Sequence, residues 1–434
     1  MPRRTEELDC KMIAKILQPK NLTLARRRVL VNKGSAGVDK MGVDKLQDYI
    51  TANRTAIAIK ILKGDYLPQA IKGVEIPKKN GKTRLLGVPT VVDRWLQQSV
   101  SQQLMTRFEL DFEPFSYGFR PKKNLQQAVL QSLAYINTGY QDIVNIDLKG
   151  FFDEVAHYKI LQLIYDRVKC QTTLRLIRKW LRAPILVGGK LMKRRKGVPQ
   201  GSPLSPLLSN ILLDQLDKEL KRRGLLYVRY ADDFSIYTKS KAEARQIGNA
   251  IYIFLRDKLS LPINRTKSGI CRPSNFSLLG HSFTPTYKKG VQGQYQLVVE
   301  QSRWKTLKRK LKQVTKKTLP YTFKERLQKL KVIWQGWINN FRLGSIYTKL
   351  KKLDEWLRNR LRYCVWHDWK KPERKRKNLI KLGIKHRQAY AWSRTRMGGW
   401  AVAQSPILGT TITLSRLRKR GYVSMVDYYS KVKI

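Results

Sequence analysis

The chain has few acidic residues, few cysteines and histidines, and no long apolar run. Its 434 residues include 88 Lys and Arg but 31 Asp and Glu, which gives a formal net charge of +57. Such an excess of positive charge attracts polyanions over long distances, and nucleic acid is the commonest polyanionic partner. No apolar run approaches the ~20 residues of a membrane-spanning helix, and the N-terminal residues lack a signal-peptide core. We expect a cytoplasmic protein, associated with the nucleoid or a ribonucleoprotein, with no membrane partner.

The cysteines and histidines are scattered along the chain. Cys10, Cys170, Cys271 and Cys364 form no Cys-x-x-Cys pair, which argues against zinc fingers and against a disulfide framework. We interpret them as reduced structural thiols. The four histidines are equally dispersed, so packing or surface roles suit them better than metal binding.

Two acidic segments predict a site. Residues 227–237, Tyr-Val-Arg-Tyr-Ala-Asp-Asp-Phe-Ser-Ile-Tyr, place Asp232 and Asp233 between two short β-prone runs, as a hairpin would. Residues 143–148 alternate apolar and polar side chains, so one strand face is buried and Asp147 lies on the other. Adjacent acids at a turn are usually part of a solvated loop. The second acidic segment favours a functional site instead.

Carboxylates that crowd together raise one another's pKa unless cations neutralise them. Because no His or Cys cluster accompanies them, their oxygens suit Mg²⁺, which binds a few carboxylates plus substrate phosphates. Two such ions about 3.5–4 Å apart can activate the attacking oxygen and stabilise the leaving oxygen in phosphoryl transfer. The residues alone therefore suggest a nucleotidyltransferase.

The order of three segments makes this hypothesis more specific. The Asp147 strand is followed by residues 197–206, Gly-Val-Pro-Gln-Gly-Ser-Pro-Leu-Ser-Pro, and then by residues 230–233, Tyr-Ala-Asp-Asp. This series resembles motifs A, B and C of a reverse transcriptase, and more specifically a bacterial group II intron-encoded reverse transcriptase and maturase. The resemblance covers nearly the whole chain. Since we see no Cys/His-containing nuclease domain, the chain resembles the group IIC-like, endonuclease-lacking type, which would take its primer from elsewhere.

The resemblance implies an α+β right-hand polymerase fold with fingers, a palm containing an antiparallel sheet, and a helical thumb, followed by a small basic helical domain. The expected boundaries are 1–60 for an N-terminal extension, 61–139 for the fingers, 140–285 for the palm, 286–365 for a maturase X-like thumb and 366–434 for a DNA-binding-like domain. Residues 303–331 carry twelve Lys or Arg and one acid. A charge run is usually a solvated helix face, but here it fits a thumb that holds an RNA-containing duplex.

The resemblance also implies the catalytic roles. Asp147, Asp232 and Asp233, with the main-chain carbonyl of Leu148, would bind two Mg²⁺ ions, for which Mn²⁺ could substitute. Lys267 follows the catalytic hairpin in a segment that resembles motif D, so it would give a proton to the departing pyrophosphate.

A second hairpin is a candidate nucleotide-binding element. Residues 74–92 contain a turn at Asn80-Gly81, and Lys78 and Arg84 flank it. Arg supplies a bidentate fork and Lys a point charge, so the pair could close over a triphosphate. Basic residues beside a turn are more often simply solvated. The similarity to the fingers hairpin of the family favours nucleotide binding.

The remaining site residues come from the resemblance alone. Gln200 would contact the incoming nucleotide, and Phe152 would be the steric gate whose ring leaves no room for a 2′-hydroxyl. Asn32 and Lys33 begin a loop similar to one that contacts template or intron RNA, and Gly280 lies in a primer-grip-like segment.

Arg120 has two open interpretations. It could line the template channel or pack the fingers, and the sequence does not decide between them.

The main hypothesis is an RNA-directed DNA polymerase that takes an RNA template, a DNA or RNA primer and deoxynucleoside triphosphates. It would also bind its group II intron RNA, assist splicing and copy the intron at a target DNA. One alternative is a non-enzymatic maturase that binds RNA on an inactive polymerase scaffold, which the clustered acids disfavour. Another is a domesticated polymerase in defence or DNA repair, which only genome context would separate.

Overall fold

The computed structural model describes residues 11–77, 81, 83–286 and 294–433. The chain divides into two compact units, Met1–Arg272 and Pro273–Ile434, called unit 1 and unit 2 below. Residues 273–285, which the sequence assigned to the palm, belong to unit 2. The predicted α+β fold class is confirmed, and the finer five-part division stays a prediction.

Unit 1 alternates helices with short strands. Its elements are helical residues 11–17 (α1), α2 Pro19–Val31, a 3₁₀ turn Val43–Lys45, α3 Leu46–Lys63, β1 Ile71–Pro77, β2 Thr83–Val88, α4 Val91–Phe108, α5 Leu125–Asn137, β3 Asp142–Ile146, α6 Phe151–Glu154, α7 His157–Val168, α8 Gln171–Arg182, β4 Ile185–Val187, β5 Lys190–Met192, α9 Ser205–Arg222, β6 Leu226–Tyr230, β7 Asp233–Thr238, α10 Lys241–Phe254, a π-helical turn Leu255–Leu259 and β8 Gly269–Cys271.

The palm sheet has the strand order β6-β7-β3-β8 and is antiparallel throughout. Its central strand β3 is nearly all buried, because side chains on both of its faces pack into the core, among them Ile143, Val144 and Ile146. The strand ends at Ile146, so Asp147 follows directly at the edge where the β6–β7 hairpin turns. The expectation that only one face of this strand is buried is therefore wrong, because Ile143 is buried on the face that it shares with Asp147. Asp147 nevertheless lies beside the predicted acid pair.

The fingers hairpin is formed by β1 and β2, whose last pair is Pro77 and Thr83. Strand β4 adds to β1 in parallel, which gives the order β2-β1-β4-β5. Of the predicted turn, Gly81 has the left-handed φ of 78° that glycine tolerates, while Asn80 lies outside the described residues. Helix α4 follows at once, capped by the Thr90 hydroxyl, and most of its side chains are buried.

Unit 2 combines a small sheet with a helical array. Its elements are a 3₁₀ turn Pro273–Asn275, β9 Ser277–Leu278, β10 His281–Pro285, β11 Tyr295–Val299, α11 Gln301–Val314, α12 Phe323–Phe341, α13 Tyr347–Asp368, α14 Pro372–Lys381, α15 His386–Ser393, α16 Gly399–Gln404, α17 Pro406–Thr411, α18 Leu414–Lys419 and α19 Met425–Val432. The sheet has the order β11-β10-β9 and is antiparallel. Residues of α11, α12 and α13 share one apolar core with the C-terminal helices.

A buried carboxylate, Asp354, connects α13 to the C-terminal segment. It accepts hydrogen bonds from Tyr422 Oη at 2.6 Å, Ser424 Oγ at 2.9 Å and the main-chain N–H of Met425 at 3.0 Å, and Arg358 pairs with it at 2.7 Å. A buried charge is tolerated when its oxygens are satisfied in this way.

Among the helices of the described ranges, none combines the length and apolarity needed to cross a membrane.

Candidate active site

The turn of the β6–β7 hairpin carries the predicted acid pair. Tyr230 pairs with Asp233, which leaves Ala231 and Asp232 as the two turn residues. Ala231 has a left-handed φ of 59°, an uncommon conformation for a residue with a side chain. A Cβ on Gly118 would lie 2.2 Å from the Ala231 nitrogen, so only glycine at 118 permits this packing.

The three predicted carboxylates lie within electrostatic reach of one another. Asp233 is exposed at its surface, but partial desolvation of its carboxyl raises its pKa to about 6, Asp232 and Asp147 add to the rise, and Lys267 opposes it. Burial also raises the pKa of Asp232, Asp147 raises it further, and Arg84 opposes the rise. The structure thus brings together the acids that the sequence assigned to one site.

A loop that follows the palm helices holds Asp147 in place. Asn264 Nδ2 donates to Asp147 Oδ2 at 2.9 Å, and Lys267 Nζ lies 3.4 Å from the same oxygen. The Asp147 N–H donates to Ser268 Oγ at 3.0 Å. Thr266 Oγ1 donates to the amide oxygen of Asn264 at 2.8 Å, which turns the amide nitrogen toward Asp147. The sequence assigned no role to Asn264 or Ser268.

The donor set suits a hard divalent cation. In the part of the chain that the structure describes, no group of three or more His, Cys, Asp or Glu side chains could hold a metal ion unaided. Mg²⁺ does not require such a cage, because it is usually held by one or two carboxylates, water and substrate phosphates. Asp147, Asp232 and Asp233 supply carboxylates that repel one another, so a cation would stabilise them. The Leu148 main chain lies beside them, in an isolated bridge with Ile263.

Four predicted contacts line one cavity of about 460 Å³, namely Asn32, Arg84, Phe152 and Gln200. Arg84 Nε donates to Gln200 Oε1, so the fingers hairpin and the loop before α9 meet there. The volume lies within the ~300–1,000 Å³ typical of small-molecule sites. The remaining predicted nucleotide-binding residue, Lys78, lies outside the described residues.

A glycine permits the close approach of the two elements. The N–H of Gly87 donates to the Gln200 carbonyl at 2.8 Å. Gly201 has a φ of 122°, and a Cβ on it would lie 2.4 Å from the Gly87 oxygen. Either condition disfavours any other residue at 201. Phe152, which also lines the cavity, is half-buried, whereas the neighbouring Phe151 belongs to the core.

The geometry at Arg120 favours the packing alternative over a template contact. Its side chain is 5% exposed and pairs with Glu109 at 2.9 Å. Its Nη1 donates to the carbonyls of Glu113 and Ser116 at 2.5 and 2.9 Å. Because its N–H groups are directed at these protein acceptors, Arg120 has little left to offer a nucleic acid.

The other two template and primer candidates are Lys33 and Gly280. Lys33 is exposed just beyond the end of α2. Gly280 belongs to unit 2, where it forms the β9–β10 turn with a φ of 85°. A Cβ there would lie 2.8 Å from Arg303 Nε.

Sequence reasoning missed a buried ion pair beneath the catalytic hairpin. Arg229 of β6 and Asp217 of α9 are both fully buried and form contacts of 2.5–3.0 Å. Arg229 Nη1 also donates to Asn210 Oδ1 at 3.0 Å and to the Ala231 carbonyl at 2.9 Å. The sequence did contain a signal for this pair, since Asp217 lies on the apolar face of α9 and Arg229 lies within an apolar strand. Charged residues at such buried positions occur mainly as ion pairs.

An acid pair on a hairpin turn, a third carboxylate at the end of the adjacent strand, and a fingers hairpin over a cavity define a polymerase-type nucleotidyltransferase. The chain belongs to the group II intron-encoded reverse transcriptase and maturase family. The family model for reverse transcriptase (RNA-dependent DNA polymerase) matches residues 76–283, and that for the group II intron maturase-specific domain matches residues 304–383. The predictions of family and of enzyme class, an RNA-directed DNA polymerase, are confirmed.

Two sequence relatives, YkfC and LtrA, support the same assignment. Protein YkfC of Escherichia coli K12 is 30% identical over 312 residues, which cover 62% of this chain and 82% of YkfC. The group II intron-encoded protein LtrA of Lactococcus lactis subsp. cremoris is 29% identical over 335 residues, which cover 62% of this chain and 55% of LtrA. The chain therefore spans about half the length of LtrA. A solved partial Cas6-RT-Cas1-Cas2 complex is 25% identical with a TM-score of 0.36, covering 58% of this chain and 42% of that chain.

Proposed function

We propose that the protein copies RNA into DNA by extending a DNA or RNA primer with deoxynucleoside triphosphates. The observation that carries this proposal is the position of Arg84. Its guanidinium contacts Gln200 in the cavity, and its charge opposes the rise that burial and Asp147 cause in the pKa of Asp232. One side chain therefore connects the nucleotide cavity with the acidic hairpin.

Asp147, Asp232 and Asp233, with the Leu148 carbonyl, would hold two Mg²⁺ ions, with Mn²⁺ as a substitute. When bound, such ions supply activation of the primer hydroxyl and charge neutralisation at the leaving pyrophosphate. Arg84 offers a bidentate fork to the triphosphate, and Lys78 is proposed as its partner. Gln200 orients the nucleotide.

Two further side chains would act on the sugar and on the pyrophosphate. The Phe152 ring lies on the cavity wall, where it would exclude a 2′-hydroxyl. Lys267 contacts Asp147, and its side chain is 66% exposed. From this exposed position Lys267 would give a proton to the departing pyrophosphate.

We further propose that the protein binds a group II intron RNA, assists its splicing and copies the intron at a target DNA, within a cytoplasmic or nucleoid-associated ribonucleoprotein. The match of residues 304–383 to the maturase-specific model supports the splicing role. The charge of unit 2 supports the binding role.

The test is primer extension on an RNA template with deoxynucleotides and Mg²⁺, comparing wild type with Asp232→Asn. Full-length product from the wild type and none from the variant is the expected result. Asp257→Asn, a change of an exposed acid paired with Arg256, is the matched control and should extend normally. If neither wild type nor Asp232→Asn extends the primer while both bind structured RNA equally well, the non-enzymatic maturase takes the place of this proposal.

A further inference from the structure

The buried Arg229–Asp217 pair lies directly beneath the turn that carries Asp232. Both side chains are 0% exposed. A buried ion pair usually contributes little to stability, because a well-packed apolar pair of similar volume does as well or better. Stability alone is therefore a weak reason for placing an arginine here, and its remaining contacts indicate another role.

Those contacts reach the main chain of the turn. Arg229 lies two residues before Ala231, and its Nη1 donates to the Ala231 carbonyl at 2.9 Å. Ala231 holds the left-handed φ of 59°, which costs a residue with a Cβ free energy unless neighbouring contacts enforce it. The guanidinium fork binds Asp217 on one side and the turn on the other, so it fixes the turn relative to α9.

The opposite side of the turn is fixed by the same helix. Gly118 packs against the Ala231 nitrogen, and its carbonyl accepts a hydrogen bond from Asn210 Nδ2 at 2.9 Å. The Asn210 amide oxygen accepts from Arg229 Nη1 at 3.0 Å. Ala231 is thus held between Arg229 and Gly118, and Asn210 of α9 is bonded to both.

We propose that Arg229 is a positioning residue for nucleotidyl transfer. With Asp217, Asn210 and Gly118 it fixes the main chain at Ala231, and this sets how far the Asp232 carboxylate reaches toward a metal ion. The inference rests on the proposed polymerase function. Arg229 itself is fully buried, so it acts through the turn rather than by touching substrate.

Two variants disturb the turn by independent routes. Arg229→Lys keeps a positive charge opposite Asp217, but one ammonium group cannot reproduce a fork that serves Asp217, Asn210 and the Ala231 carbonyl together. Gly118→Ala leaves the ion pair intact and places a methyl group against the Ala231 nitrogen.

Two control variants make the same chemical changes elsewhere in unit 1. Arg223→Lys alters a guanidinium that pairs with Glu219 at 2.7 Å beside the end of α9. Gly248→Ala adds a methyl group in α10 that meets only Val144 Cγ1, at an ordinary 3.5 Å.

The first measurement is Mn²⁺ binding to the full chain without nucleic acid, followed by loss of the free-ion electron paramagnetic resonance signal. Both turn variants should bind Mn²⁺ about 10- to 100-fold more weakly, as when the partners of metal ligands are removed, whereas both controls should match the wild type. The half-saturating Mg²⁺ concentration in primer extension should rise by the same factor, while the KM for primer–template stays unchanged. Hydrogen–deuterium exchange over residues 226–238 should be faster in the turn variants.

A thermal melt accompanies each variant. If both turn variants melt at lower temperature but keep the wild-type Mn²⁺ affinity and Mg²⁺ requirement, the cluster serves folding alone and the inference is wrong. If Arg229→Lys does not fold, Gly118→Ala decides the question, because its ion pair is intact. If the wild type itself extends no primer, the polymerase proposal fails, while Mn²⁺ affinity and exchange still report whether Arg229 and Gly118 position the turn.

Discussion

The acids at the candidate site of unit 1 and the buried Asp354 of unit 2 have different surroundings. Unit 1 holds 24 of the 31 acids together with 50 of the 88 basic residues, whereas the shorter unit 2 holds 7 acids with 38 basic residues. In unit 1, burial raises the pKa of Asp232 and Asp233, and the charge of Asp147 adds to both rises. In unit 2, the buried Asp354 is surrounded by four donors. The contrast indicates that unit 1 carries the chemistry and that unit 2 supplies a positive surface for a polyanion.

The largest expected effect concerns Asp147, the acid of unit 1 that is proposed to hold a metal ion. Asp147→Asn keeps the size of the side chain and removes one metal-binding charge, so primer extension should fall by at least about 1,000-fold, the loss of roughly 4 kcal/mol in the transition state. RNA affinity, measured by fluorescence anisotropy, should stay within about twofold, since one fewer negative charge does not weaken polyanion binding. A parallel loss of RNA binding would break the proposed division between the units.

Next in size is the removal of the structural acid of unit 2. Asp354→Ala leaves Arg358 without its partner and leaves the hydroxyls of Tyr422 and Ser424 without a hydrogen-bond acceptor. The free energy of unfolding should therefore fall by about 3 kcal/mol. Urea denaturation followed by tryptophan fluorescence measures this change. Asp427→Ala is the matched control, because its pair with Arg418 is about half exposed and should be worth about 0–1 kcal/mol. Equal effects of the two changes would contradict a special role for Asp354.

A smaller effect is expected from the positive surface. Lys305, Arg309 and Lys312 are exposed and lie on one face of α11, opposite the buried Leu307 and Leu311. Their joint change to Gln should reduce the slope of log affinity for duplex RNA against log salt by about 2 to 3, at ~0.7–0.9 for each phosphate contact. The control changes three exposed arginines of α8, Arg175, Arg178 and Arg182, to Gln. Should the control lower the slope as much, the positive charge of unit 2 would have no privileged role in binding.

The smallest expected effect depends on pH. The pKa of Asp233 is about 6 in the folded chain against an ordinary 3.8, so its ionisation opposes folding. This penalty is absent below about pH 4, grows between pH 4 and 6 and is complete above pH 6. With EDTA present, Asp233→Asn should therefore raise the melting temperature at pH 8 and not at pH 4. The gain in the free energy of unfolding at pH 8 should be about 1 kcal/mol at most, because solvent screens the carboxylate.

Asp257→Asn serves as the control for this pH experiment. A hydrogen bond from Arg256 lowers the pKa of Asp257, so its ionisation does not oppose folding. If Asp233→Asn melts at a lower temperature than the wild type at pH 8, the ionised Asp233 stabilises the fold, as the buried Asp354 of unit 2 does.

The sequence predicted those parts of the fold and site that depend on local patterns. Alternation over residues 143–148 and 227–237 indicated the strands that carry the acids, and near-helical spacing after residue 204 indicated α9. Such predictions are possible because the periods of strands and helices appear in the spacing of apolar residues that are close together in the sequence. The order of the three segments, residues 143–148, 197–206 and 230–233, then indicated the family.

Contacts between distant segments could not be predicted in this way. Asn264 and Lys267 bind Asp147 across more than 100 residues, and Arg229 meets Asp217 from another element, so no local period reports either contact. Arg120 shows the same limit. Whether its guanidinium faces solvent or protein depends on where Glu109 lies once the chain has folded.

The close approach at Gly201 has a consequence for laboratory evolution of the cavity. Because a Cβ at 201 would collide with the Gly87 oxygen in an already left-handed backbone, nearly every substitution in a library at that codon is expected to disrupt the wall before it alters selectivity. Leu86 Cδ1 lies 3.5 Å from the same point and also lines the cavity. A library that varies codon 86 and keeps codon 201 constant would change the shape of the cavity. It would not separate β2 from the loop before α9, the two elements that enclose the cavity.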